Sequence, residues 1–187
     1  MKQNRSVLFV FFILIVVASV YRAWDGRPWG FVPQIAMALF GGAVIRDIKL
    51  AFVLPLLSML LSDFLYEVLY RNGMSEIKGF YEGQVVNYLL FAGMTFVGFW
   101  MRNLHIGRIA AGTLIAPTVY FLLSNFYVWI DGGGYHRPKT FSGLMQCYAD
   151  GLPFYRGYLL GTLFFSTVLF GLYLLFYKKK EVQKSLA

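Results

Sequence analysis

Most of the chain falls into six apolar runs separated by short polar stretches. Crossing about 30 Å of hydrocarbon takes roughly 20 helical residues, and interfacial side chains let a shorter run suffice. The runs occupy about 6–24, 29–45, 50–69, 85–100, 109–130 and 155–177. Each predicts a transmembrane helix, so the expected fold is all-α: a polytopic membrane bundle of about six spans. The second run is the weakest, because it is short and carries Pro33 and Gln34 near its start. Proline in a first helical turn loses little, since its missing N–H had no helical partner there.

Two connections are longer than the rest, Tyr70 to Gln84 and Asp131 to Phe154. Both hold glycines and aromatic residues, among them Gly79, Phe80 and Tyr81 in one and Gly132, Gly133, Gly134, Tyr135 and Tyr148 in the other. Such segments are expected to fold back as lids on one end of the bundle, or to serve as aromatic belts at the membrane interface. The remaining connections are a few residues long, which makes their flanking helices antiparallel neighbours.

Charge sets the orientation. With the N-terminus inside, the cytoplasmic basic residues are Lys2, Arg5, Arg46, Lys49, Arg102, Arg108, Lys178, Lys179, Lys180 and Lys184, ten in all. Seven fall outside: Arg22, Arg27, Arg71, Lys78, Arg137, Lys139 and Arg156. Positive residues favour the cytoplasmic side, so both termini are expected in the cytoplasm (N-in/C-in) of a multi-pass protein in a bacterial inner membrane. The formal charge of +8 does not signal nucleic acid, because these residues sit at the ends of apolar runs and not on one solvated face.

Composition agrees, with 58% hydrophobic and 14% charged residues against about 25% charged in soluble domains. No polar stretch is long enough to bury a core of its own, so residues 1–187 form one transmembrane domain. The first run has the charged and apolar regions of a signal peptide, but Ala18 to Trp24 offers no convincing small-x-small cleavage site. It is therefore expected to be the first span. A single cysteine, Cys147, and two histidines make a thiolate-rich metal site unexpected.

Asp63 is the most informative position. It lies well inside the third run, where a carboxylate costs at least about 2.5 kcal/mol, so it must face protein, water or ligand. Glu67 follows one helical turn later on the same face, near Tyr66 and Tyr70. Asn87, Asn125 and Gln34 are amides within or at the edges of other spans; such groups either join helices or line a pocket. Asp63, Glu67, Asn87, Ser124, Asn125 and Trp129 all fall toward the outer half, and Asn125 and Trp129 are four residues apart. The expected substrate-binding set is Asp63, Glu67, Asn87, Asn125 and Trp129, with Tyr148 above them. The pocket is expected between the third to fifth helices, capped by the Asp131 to Phe154 connection.

Small residues pair at helical spacing at Ala38 and Gly42 and at Gly157 and Gly161, suited to close packing inside the bundle or against a partner subunit. No HExxH, GxSxG, Walker loop or Cys-His pair occurs. Gly132-Gly133-Gly134 lacks the Lys-Ser/Thr and helix start of a phosphate loop, and a turn accounts for it. The expectation is a protein that is not an enzyme and carries neither cofactor nor metal.

Two stretches carry a family resemblance: Ala38-Leu39-Phe40-Gly41-Gly42-Ala43 leading through Leu54-Pro55-Leu56 to Met59-Leu60-Leu61-Ser62-Asp63, and Ser124-Asn125-Phe126-Tyr127-Val128-Trp129 with Tyr135, Thr140, Gly143-Leu144, Cys147-Tyr148 and Leu152-Pro153-Phe154. Together they resemble an uncharacterised bacterial six-helix membrane family similar to the substrate-binding S components of energy-coupling factor transporters. The resemblance implies a bundle that binds a vitamin-like or other small solute near its outer face and docks onto other membrane subunits driven by cytoplasmic ATPases. The Ala-xxx-Ala docking pattern of S components is absent from the first run, which is rich in Val, Ile and Phe; Ala38 and Gly42 are the nearest substitute. Two other classes stay open: a structural or assembly subunit of a larger membrane complex, and a membrane enzyme using Asp63 or the outer loop.

Overall fold

In the computed structural model of the chain, the backbone is described for residues 5–185 and the side-chain surroundings for 9–175. Several basic residues that weigh on orientation, Lys2, Arg5 and Lys178 to Lys184, have side chains outside the described residues, as do both chain ends. The described residues form six helices: α1 (Arg5–Ala23), α2 (Gln34–Val44), α3 (Ile48–Arg71), α4 (Gln84–Trp100), α5 (Ile106–Asp131) and α6 (Phe141–Ser185). Three of them, α3, α5 and the Phe141–Leu175 part of α6, are long and apolar enough to cross a membrane. The apolar parts of α1, α2 and α4 are shorter.

The short helix α2 is the axis of the bundle, with α3, α4, α5 and α6 packed around it. Gln34 to Ala43 are all buried. A helix enclosed on every side needs an apolar surface all round, and close approach of several neighbours at once needs small residues. Both conditions are met here. A Cβ on Gly42 would strike the Thr95 carbonyl and Gly98 of α4, one on Gly41 the Ala51 carbonyl of α3, and one on Gly98 the carbonyls of Ala38 and Leu39. The Ala38 and Gly42 pair therefore packs inside the bundle. Arg102, in the turn after α4, closes the C-terminal end of α2 by donating from Nε to the Gly42 carbonyl at 3.1 Å and from Nη2 to the Ile45 carbonyl at 3.4 Å, a favourable place for a cation.

At about 1.5 Å per residue, the 11 residues of α2 extend about 16 Å, half the hydrocarbon thickness. The expected helix from 29 begins only at 34. Pro33 has no N–H and disfavours helical conformation at the residue before it, and Gly30 is left-handed at φ +74°. Residues 29–32 instead run across α6: a Cβ on Gly157 would meet the Trp29 carbonyl, and one on Gly161 the Val32 nitrogen. This small-residue pair makes room for an incoming strand of loop and not for a second helix.

In α3 the buried residues Ala51, Leu54, Pro55, Ser58, Met59, Ser62, Asp63 and Tyr66 recur at three- and four-residue steps, one face of a helix. Its lower half is apolar and its upper half hydroxylic and acidic. Asp47 caps its start, accepting from the Leu50 N–H at 3.1 Å.

The expected long connection from Asp131 to Phe154 is mostly helix. The chain leaves α5 at left-handed Gly132, φ +84°, and re-enters helix at Phe141, where Thr140 Oγ1 accepts from the Gly143 N–H at 3.1 Å. α6 then runs on without a break at Pro153. Its 45 residues extend about 68 Å, and its first turns pack along the C-terminal end of α5: a Cβ on Gly151 would fall on the Asn125 amide.

Candidate functional site

The buried stripe of α3 ends at Asp63, which is 1% exposed. Its Oδ1 pairs with Arg22 Nη1 at the end of α1. Its Oδ2 accepts from Gln84 Nε2 at 2.7 Å and from the Tyr88 hydroxyl at 2.5 Å, both on α4. Arg22 Nη1 also donates to Ser62 Oγ and to the Met59 carbonyl. The backbone carbonyl of Arg22 accepts from the Tyr66 hydroxyl at 2.5 Å and from Arg27 Nε at 2.7 Å. One carboxylate thus ties three helices together. Deleting one partner of such a buried pair costs about 3–5 kcal/mol, because the other charge is left without compensation.

A second polar cluster gathers around Asn87 of α4. Asn87 donates from Nδ2 to the Tyr81 hydroxyl at 2.7 Å and accepts at Oδ1 from the Tyr120 hydroxyl at 2.6 Å. The Tyr120 ring packs on Phe91 and Tyr158, with centroids 4.7 and 4.9 Å away. Two cavities open beside it. One of about 370 Å³ lies between α4 and α5, lined by Tyr81, Asn87, Leu90, Tyr120, Ser124, Tyr127, Val128 and neighbours. The other, about 270 Å³, lies between α5 and α6, lined by Tyr120, Phe121, Ser124, Asn125, Val128, Cys147, Asp150, Phe154 and Tyr158 among others. Tyr120, Ser124 and Val128 belong to both. Aromatic walls with a few amides and hydroxyls suit a small organic ligand.

The connection over these cavities is pinned at both ends. Arg137 forms a two-pronged pair with Asp150, 2.8 and 2.9 Å, reaching from the connection to α6. Hydrogen bonding to Asp150 raises the Arg137 pKa above its ordinary value, against a smaller opposing effect of desolvation. Toward α5, Trp129 Nε1 donates to the Pro138 carbonyl at 2.9 Å, and Lys139 donates to the Ile130 carbonyl at 2.7 Å. Gly134 and Tyr135 reach the rim of the smaller cavity.

The residues singled out from the sequence are therefore distributed over several environments. Asn87 and Asn125 line cavities. Asp63 belongs to the ion-pair cluster instead, and Glu67 is paired with Arg71 at 2.7 Å on the flank of α3. The expected common wall of Asn125 and Trp129 is not formed, since Trp129 is bonded to the connection and lines neither cavity. Tyr148 lies against Phe121 and donates to the Leu122 carbonyl at 3.2 Å, also outside the lining. The cavities sit between α4, α5 and α6, where the expectation was the third to fifth helices.

Four central residues escaped sequence reading: Arg22, Tyr88, Tyr120 and Tyr158. Arg22 carried a signal, because a basic residue at the end of a first apolar run that is expected to face outward runs against the positive-inside tendency and an acid inside another apolar run requires a partner. The three tyrosines carried none that separates them from interfacial aromatics. Among the described residues, no three His, Cys, Asp or Glu side chains are grouped to hold a metal ion.

A family model described as "Family of unknown function (DUF6580)" matches residues 2–185 of the chain. No curated protein and no solved structure matches it.

Proposed function

The chain belongs to the DUF6580 family, whose description assigns no activity, and we propose that it is a multi-pass inner-membrane protein that binds a small solute in the outer half of its bundle. In this reading all six helices cross or line the membrane, both termini are cytoplasmic, and the protein serves as the solute-binding component of a transporter, as its similarity to S components suggests. The observation that carries the reading is the pair of cavities meeting at Tyr120 and Ser124, with the Asn87 and Asn125 amides on their walls. Their sizes, about 370 and 270 Å³, lie near the lower end of the range for small-molecule sites. Between them Asn87 and Tyr120 already satisfy one another, so a solute is held mainly by aromatic contact, with Ser124 and Asn125 as orienting groups.

The test is extraction and mass spectrometry of small molecules that co-purify with the protein from its native membrane. One recurring small molecule, displaced on dilution and absent from a mock preparation, is expected. A second reading, a structural or assembly subunit, is favoured by the completeness of the hydrogen bonding around Asn87 and Asp63, which is what helix-joining groups require. Co-purification of stoichiometric membrane subunits with no small molecule would favour it.

A further inference from the structure

A third cavity, about 820 Å³, lies apart from the α4–α6 cavities, between the α1–α2 connection and the α3–α4 connection. Four aromatic side chains line it, Trp24, Trp29, Tyr66 and Tyr70, together with the carboxylates Asp25 and Glu76. Among the described residues neither of these acids is in an ion pair. Two of the rings already attract internal cations: Arg22 lies 5.6 Å from the Tyr66 centroid and Lys78 lies 5.6 Å from that of Tyr70. The lining also includes Arg27, but each of its side-chain nitrogens donates to an internal acceptor, to the Arg22 carbonyl, the Pro28 carbonyl and the Tyr66 hydroxyl. Arg27 therefore braces the floor of the cavity.

We propose that this cavity is a site for an alkylammonium group. Aromatic faces attract organic cations through their quadrupoles, and the Trp24 and Trp29 rings, which face no internal cation among the described residues, stand in the same lining as the Asp25 and Glu76 carboxylates. An inorganic cation would gain little from the two tryptophan rings, whereas a methylated ammonium gains from both rings and acids. The same chemistry is presented by a free amine in solution and by the choline or ethanolamine headgroup of a lipid.

The experiment uses the full-length protein in uncharged maltoside micelles, which contain no ammonium, with radiolabelled tetramethylammonium as probe in equilibrium dialysis against matched sodium chloride. Saturable binding is expected, weakened at least tenfold in Asp25→Asn/Glu76→Gln and in Trp24→Leu, and retained in Trp24→Phe. Thermal unfolding of each variant separates lost binding from lost fold. Ser124→Phe, which puts a ring where the other two cavities meet, leaves this binding unchanged, so the fate of this site and of the solute site are read independently. Repeating the titration in phosphatidylcholine nanodiscs identifies the source: abolished binding there assigns the site to a lipid headgroup, and undiminished binding assigns it to a free amine. Absence of saturable binding in micelles, or equal binding by the double variant, overturns the proposal.

Discussion

Asp63 would be the costliest residue in the bundle if it stood alone, since a carboxylate removed from water requires compensation. Arg22, Gln84 and Tyr88 supply it. Arg22→Met leaves the carboxylate buried without its counter-charge, and about 3–5 kcal/mol of stability should be lost. Asp63→Leu strands the guanidinium and should also destabilise, with loosened α1–α3 and α3–α4 contacts that disturb solute binding or assembly. The double variant Arg22→Met/Asp63→Leu should recover much of the loss, because a well-packed apolar pair often replaces a buried ion pair at little cost. Unfolding midpoints of the three variants in one detergent check this; single variants indistinguishable from the parent would mean that the pair contributes nothing. At this scale the acid was legible from the sequence, and its partner was not. Arg22 sits where a topology signal is counted, and only the folded arrangement brings it across to α3.

Packing around α2 decides the behaviour of the elements. Gly98 meets the α2 backbone so closely that a Cβ has no room, whereas a Cβ on Gly93 in the same helix α4 meets nothing within 4 Å. Gly98→Leu should therefore separate α4 from α2 and cost at least about 1–3 kcal/mol, as overpacking does, while Gly93→Leu should leave stability nearly unchanged. Thermal unfolding in detergent distinguishes them, and equal effects would mean that α2 is not gripped as described. Helix identity was legible for every element, because apolar runs of this length have few alternatives. Their ends were not. The start of α2 depended on Pro33 acting with Gly30 and on the room made by Gly157 and Gly161, a contact between distant segments. The early start of α6 was hidden by Gly143, Gly151 and Pro153, which read as loop residues; Thr140 was the local sign of a helix start. The two glycines are needed for contact with the Pro138 carbonyl and Asn125, and the proline is accommodated in a long helix supported by α5.

At the scale of the whole molecule, the proposed arrangement puts Gln84, Asp131 and Phe141 on one side of the membrane and Val44, Trp100 and Ile106 on the other. A reporter fused after Ala187 should register the cytoplasm, and one inserted at Gly133 the periplasm; the reverse pair would invert the bundle and place its cavities inside. Two of the residues named from the sequence, Asn87 and Asn125, reach those cavities. Trp129 and Tyr148 do not, because helical spacing predicts a shared face but not what the neighbouring connection takes from it. The central claim is that the space around Tyr120 holds a solute, and Ser124 gives the most direct test because it lines both cavities and belongs to neither the Asp63 cluster nor the α2 packing. Native mass spectrometry of the intact protein released from its own membrane should detect one small-molecule adduct on the parent and none on Ser124→Phe, with unchanged unfolding. An adduct that persists on Ser124→Phe, or a parent protein that carries none, would contradict the account.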